Sequence, residues 1–296
     1  MTAPLRDEVL RKVQTLPVLP HVVGRAMSLD PLDRNHFDEL VHLIETEPNY
    51  AVRLVAAANT VASHAVTPVV RIRDAVVRLG SRSVIDLILS MSVVRVFVPR
   101  SNWERGLWVH ALEVAHVSRA LARSLPGLDP ELGYICGLLH DVGRFIMFDL
   151  SPAVLREVDE AAWDCPEELL AAERSICGFD HAELGTLACE RWGLAGPLCT
   201  FIKHHHHVGV DTTIEGVPGK VARLCQVADR VAFSSVSPSH RATRINTLPG
   251  PQAEALLTGL MPAWGHHHIP QTLAAVCEAL SQADALSSTL GLSMKA

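Results

Sequence analysis

The chain has 296 residues, 48% of them hydrophobic and 20% charged, with a formal net charge of −6. That length can bury a sizeable core, and no apolar run is long enough to span a bilayer. The acidic balance argues against a general nucleic-acid binder, which needs a basic surface to release counterions.

Helical periodicity dominates from end to end, so an all-α fold is expected. Asp7 can cap a first short helix that ends before Pro17, and Leu16-Pro-Val-Leu-Pro20 forms a stiff turn into a second helix through Met27. A third runs from about Phe37 to Ile44, and Pro48 opens a fourth that reaches about Ala62. In that helix Val52, Val55, Ala56 and Asn59 recur at helical spacing, which predicts a buried Asn59 hydrogen-bonded to neighbouring backbone. The fifth, Ile72 to Leu79, stops at Gly80, and the sixth, Ser83 to Phe97, is nearly all apolar and therefore central to its domain.

The break at Pro99-Arg-Ser-Asn102 marks an expected boundary. Beyond it the pattern predicts helices at about 103–125, 130–140, 152–161, 166–176, 182–192, 196–204 and 220–233. A loop rich in Gly and Pro (208–219) and a polar loop (234–241) are expected between and after the last of these. Helices at 251–260 and 270–290 close the chain. The expected organisation is an N-terminal helical module (1–100), a helical core (101–240) and C-terminal helices packing on that core (241–296).

The seven cysteines are odd in number and scattered, with no Cys-x-x-Cys pair, which argues against a disulfide framework or a zinc ribbon. The first residues lack the apolar stretch of a secretory signal, so the cytoplasm is the expected compartment. Sixteen histidines against two tyrosines is the unusual count, and they cluster at His204 to His207 and His266 to His268.

The most informative stretch is Gly137-Leu-Leu-His140-Asp141-Val-Gly143-Arg144. A His and an Asp at the end of an apolar helix are costly to bury unless something pairs with them, and a divalent metal is the obvious partner. Further candidates sit on helix faces and ends: His110 and His116 on one helix, His181 where another begins, and the His204–His207 run. Asp229 lies inside an apolar stripe, where only a buried cation or an Arg partner accounts for it. Imidazoles with bridging carboxylates suit first-row metals, and two such ions can clamp a phosphate and activate a water.

Several motifs, in order, resemble the HDOD family of bacterial signalling output domains, relatives of the HD and HD-GYP phosphohydrolases. In the first half they are Leu16-Pro-x-Leu-Pro20, Glu47-Pro48, Ala57-Ala-Asn-Thr-Val-Ala62 and Ile72 through Gly80. In the second they are Trp108-Val-His-Ala-Leu-Glu-Val-Ala115, Gly137-Leu-Leu-His-Asp-Val-Gly143, Asp180-His-Ala-Glu-Leu-Gly185, Trp192-Gly-Leu, His205-His206 and Ala228-Asp229. The resemblance implies an N-terminal helical module packed on an HD-like core. It also implies one metal held by His110, His140, Asp141 and Asp229. Asp141 would bridge to a second, held also by His181 and two residues of the His204–His207 run. Counting from Trp192 selects His205 and His206, with a one-residue slip left open. Two divalent ions are expected, iron or manganese ahead of zinc, magnesium or nickel.

The family's usual role implies a regulatory protein that binds a signalling partner or a small nucleotide, with neither membrane nor nucleic acid as partner. The alternative is an active metal-dependent phosphohydrolase using a metal-bridging hydroxide, with Asp141 and Arg144 as catalytic residues and Arg144 steadying the phosphate. Two departures bear on the second reading. No Gly-Tyr-Pro follows the paired histidines, where the chain has Val208-Gly-Val-Asp-Thr-Thr-Ile-Glu-Gly216, so cyclic di-GMP is disfavoured as substrate. The cation after His-Asp-x-Gly is Arg144 rather than Lys, which can bind a phosphate bidentately but cannot exchange a proton. His116, His266 to His268 and Asn59 read as structural or solvated residues.

Overall fold

Helix starts are written into the chain as cap residues, and a computed structural model shows them at work. Ser101 accepts from the Glu104 N–H at 3.3 Å, Asp129 from Glu131 at 2.9 Å, Ser151 from Val154 at 3.4 Å and Asp180 from Glu183 at 2.8 Å. Pro130 and Pro152 follow two of these caps, where a missing N–H costs nothing. The structure describes residues 9, 11, 13–15, 21–30, 32–61, 68–99, 101–161, 166–194, 196–207, 209, 214–232, 245–261 and 268–292. Among them every regular element is a helix and none is a strand, as expected of an all-α chain. No helix of the described residues is long and apolar enough to cross a membrane.

The chain divides into two units: residues 17–98 with 286–292, and residues 1–16 and 99–285 with 293–296. The first unit holds α1 (His21–Ser28), α2 (His36–Glu45), α3 (Pro48–Val61), α4 (Ile72–Leu79) and α5 (Ser81–Val96). Gly80, at φ 80°, both ends α4 and starts α5, a conformation that favours glycine. Leu40, Ile44, Leu54, Ala58, Val76, Val84 and Ile88 form the buried core. Tyr50 reaches into it and shares a 2.6 Å hydrogen bond with Ser92.

The expected stripe of α3 is corrected. Val52 is 71% exposed and Asn59 lies at the surface, whereas Tyr50, Leu54, Ala57 and Ala58 face inward. Spacing alone left two faces open, and bulk decided between them, because Tyr50 and Leu54 bury more apolar area. The backbone role of Asn59 holds. Its amide donates to Val55 O at 3.0 Å and Val69 O at 2.9 Å, and its carbonyl accepts from the Val69 N–H at 2.8 Å.

The second unit is built on α6 (Asn102–Arg123), against which α7 (Pro130–Leu139) and α13 (Val217–Ala232) pack. Around them lie α8 (Val142–Leu150), α9 (Pro152–Glu160), α10 (Pro166–Cys177), α11 (His181–Arg191) and α12 (Gly196–His204). After a short 3-10 turn at Ile245–Thr247 come α14 (Gly250–Leu260) and α15 (Ile269–Thr289), whose residues 286–289 belong to the first unit. Helix α8 was not expected, since no helix was predicted between 140 and 152. Its core contact is Trp108 of α6, stacked on Phe145 at 4.1 Å between ring centroids. The cysteines among the described residues are free thiols. The Asp7 cap, the Leu16–Pro20 turn, the 234–241 loop, His266 and His267 lie outside the described residues, as does most of the stretch from 208 to 213.

Candidate metal centre

Three glycines let the ligand-bearing helices approach. A methyl on Gly137 of α7 would sit 2.7 Å from the Ala115 Cα and the Val114 carbonyl, so the α6–α7 crossing admits only hydrogen there. That crossing brings the His110 and His140 rings to 5.3 Å between centroids. A methyl on Gly143 would overlap the His181 carbonyl, and one on Gly185 would come within 2.9 Å of the Ile202 side chain. These two positions bind the start of α8 to the start of α11, and α11 to α12. The residues so gathered are Asp141, His181 and the histidines after α12.

His140 and Asp141 form the tight turn between α7 and α8, and Asp141 is the N-cap of α8. A capping Asp ordinarily accepts from its own helix. This one makes no such bond. Its Oδ2 lies 3.5 Å from His140 Nε2, and its Oδ1 lies 3.3 Å from His181 Nε2 and 3.8 Å from His205 Nε2. On the His110 side, Nε2 contacts Asp229 Oδ1 of α13 at 3.0 Å. Two groups capable of holding a cation result, one of Asp141, His181, His205 and His206, the other of His110, His140 and Asp229.

The tautomers follow from the partners of the other ring nitrogens. His140 Nδ1 faces Gly137 O at 2.8 Å, His205 Nδ1 faces Ile202 O at 2.7 Å, and His181 Nδ1 faces Glu173 Oε2 at 2.6 Å. Each partner can only accept, so each Nδ1 carries the proton. A neutral ring then presents its Nε2 lone pair to the site. The Nε2 atoms of His181 and His205 face each other at 3.3 Å, and that of His206 lies 3.1 Å from His181. Lone pairs so placed repel unless a proton or a cation lies among them. The spacings match the edges of a coordination polyhedron with metal–nitrogen bonds of about 2.1 Å. His140 Nε2, fully enclosed, makes no hydrogen bond among the described residues. The donor set fits a first-row divalent ion.

Electrostatics favour the ligand forms of His140, His206, Asp141 and Asp229, whereas His181 is raised against the effect of burial by Glu173 and Asp141. Burial pushes the His140 imidazole down to about 4, against the pull of Asp141, so the ring is neutral at neutral pH. His206 is held well below its ordinary value by burial and by His205 and His181. Burial opposes ionisation of Asp141, but His140 and His181 hold it well below the usual carboxylate range. Burial would likewise lower His110 and raise Asp229, yet their mutual hydrogen bond raises the first and lowers the second.

Of the His204–His207 run, His205 and His206 reach the Asp141 group. His204 and His207 turn away and share a 2.6 Å contact between their Nδ1 atoms, because residues three apart fall on one side of the turn. His116 packs edge-on against Tyr134 at 5.2 Å and belongs to neither group. Arg144, expected to steady a phosphate, is enclosed among carboxylates. It is 4% exposed, hydrogen-bonds Asp159, and directs Nε at Glu173 Oε1 3.9 Å away. Its guanidinium faces two carboxylates inside the protein. Glu173 and Asp159 were missed by sequence reasoning. The available signal was that Glu173 sits four residues from both Leu169 and Cys177, on the buried stripe of α10.

Comparison with known proteins places this arrangement. The HDOD domain family matches residues 16–208. An HDOD domain protein of unknown function from Geobacter sulfurreducens superimposes with a TM-score of 0.65 at 26% identity, over 96% of this chain and 97% of that one. A candidate phosphohydrolase from Shewanella amazonensis SB2B gives 0.67 at 22% identity, over 94% and 97%, a likeness of fold. An uncharacterized protein of Treponema pallidum (strain Nichols) is 26% identical over 212 residues, 70% of this chain. The chain spans only 40% of that relative's length. With the family match covering most of both units, this chain belongs to the HDOD domain family.

Proposed function

We propose that the chain is a signal-transduction protein of HDOD type whose HD-like core holds two divalent metal ions, iron or manganese, around Asp141. The observation that carries this reading is the facing set of Nε2 atoms on His181, His205 and His206, 3.1–3.3 Å apart with protons committed to the far side of two rings. His181, His205, His206 and Asp141 would hold one ion. His110, His140, Asp229 and the second oxygen of Asp141 would hold the other. On this reading the output is recognition of a signalling protein or a small nucleotide.

A second reading, hydrolysis of a nucleotide or other phosphate ester, is favoured by one observation. Asp141 and Asp229 keep side-chain exposures of 10% and 15%, so their edge is the part of the site open to solvent. The chemistry such ions supply when bound is Lewis acidity at a phosphate oxygen. The chain's own residues supply the frame. Asp141 stays ionised between the two groups, His140 stays neutral, and the Trp108–Phe145 stack with the apolar faces of α7 and α8 excludes bulk water. On this reading Arg144, hydrogen-bonded to Asp159, serves the frame of the site.

The separating experiment is turnover of bis(p-nitrophenyl) phosphate and a panel of nucleotides by Mn2+- or Fe2+-loaded protein. Bound metal with no turnover on any substrate supports the regulatory reading. Turnover lost in Asp141→Ala supports hydrolysis. Protein that takes up neither ion overturns both.

A further inference from the structure

We infer that Glu173 is a positioning residue that sets His181 as a metal ligand, and that Arg144 serves the site by holding Glu173 rather than by touching substrate. The inference rests on the metal reading above.

Glu173 is completely buried on α10, and a single oxygen, Oε2, takes two donors from one residue. The His181 backbone N–H donates to it at 2.9 Å and His181 Nδ1 at 2.6 Å. The first contact fixes where α11 begins, and the second fixes the plane and tautomer of the ring. With Nδ1–H so engaged, Nε2 is aimed at Asp141 Oδ1, 3.3 Å away, and at the Nε2 atoms of His205 and His206. His140 and His205 are oriented differently, each by a neutral backbone carbonyl. A carboxylate behind an imidazole makes it a stronger donor than a carbonyl does, and such outer partners govern metal affinity.

A buried carboxylate needs a counter-charge, and Arg144 provides it. Its Nε lies 3.9 Å from Glu173 Oε1, while its terminal nitrogen hydrogen-bonds Asp159. Arg144 also rides on the ligand turn, since its backbone N–H donates to Asp141 O at 2.8 Å. The run Asp159–Arg144–Glu173–His181 therefore ties the Asp141 turn to the imidazole facing it. This accounts for an Arg at this position. A planar fork addresses two carboxylates at once, which a single ammonium does less well.

The test is a double-mutant cycle read as the Mn2+ dissociation constant, using wild type, Glu173→Gln, His181→Gln and the double variant, with circular dichroism confirming the fold of each. Gln keeps the shape and an acceptor for the backbone N–H but removes the charge. We expect Glu173→Gln to weaken Mn2+ binding roughly 10- to 100-fold in the wild-type background. In the His181→Gln background we expect a change within about 2-fold, because the ring through which Glu173 acts is gone. A residue that merely anchors α11 gives equal losses in both backgrounds, and that result, or no loss in either, overturns the inference while leaving the metal reading intact. Wild type that binds no Mn2+ overturns the metal reading itself and this inference with it. Should Glu173→Gln fail to fold, the same cycle with Arg144→Lys decides, with a smaller loss that again disappears in the His181→Gln background.

Discussion

The two groups capable of holding a cation, one containing Asp141 and the other next to it, are built in different ways. The Asp141, His181, His205 and His206 group stands on a turn, a helix start and the residues after a helix end. Each of those backbones had to be brought in by a glycine contact, at Gly143 or Gly185. Two of its rings are locked from behind, His181 by Glu173 and His205 by a carbonyl. The second group draws His110 from the middle of α6 and Asp229 from the last turn of α13, 3.0 Å apart, and adds His140 from the turn that also carries Asp141. Turns and helix ends give freedom to aim a side chain but require bracing, whereas positions inside a helix, such as His110 and Asp229, are held by the helix itself. The first group should therefore be the more sensitive to remote changes, and the second to loss of its own ligands.

Gly143→Ala should break the comparison most severely. The added methyl overlaps the His181 carbonyl, so the starts of α8 and α11 must separate. We expect a loss of about 3 kcal/mol in stability, read by thermal or urea unfolding, together with loss of the first group's ion. Asp229→Ala comes next. It leaves the braced group untouched, so elemental analysis should find one Mn2+ lost and one retained. Asn59→Ala, in the other unit, removes two hydrogen bonds between α3 and Val69 and one to Val55 O within α3. It should cost about 1 kcal/mol in unfolding experiments and leave metal content unchanged. Least of all, the pair His204→Ala and His207→Ala should shift stability by no more than about 0.5 kcal/mol and Mn2+ affinity not at all, since those rings face each other away from the site.

Much of this was legible in the chain because the helices carry their own punctuation. Asp129-Pro130, Ser151-Pro152 and Asp180 preceding Glu183 are caps that need no tertiary context. The His and Asp residues gathered at the site were legible too, because a charged or imidazole group at a buried helical position has few uses. Helix α8 escaped notice because it follows α7 after a turn of only two residues. Val142 through Leu150 is also so apolar that no periodicity separates it from what precedes it. The inward face of α3 needed side-chain bulk as well as spacing. Glu173 escaped because a lone carboxylate in a helix rich in Glu reads as solvated. Only the tertiary arrangement places it behind His181 and beside Arg144. The placement of Arg144 was hidden for the same reason. A cation next to His-Asp suggests an anion from outside, and nothing local announces that Asp159 and Glu173 are waiting inside.

The central claim is that Asp141 joins two ion-binding groups into one centre, and the count of Mn2+ ions per chain tests it most directly. Wild-type protein loaded with Mn2+ and freed of excess should carry two ions per chain, and Asp141→Ala, folded by circular dichroism, should carry none at the same loading. An Asp141→Ala protein that retains the wild-type complement would contradict the account.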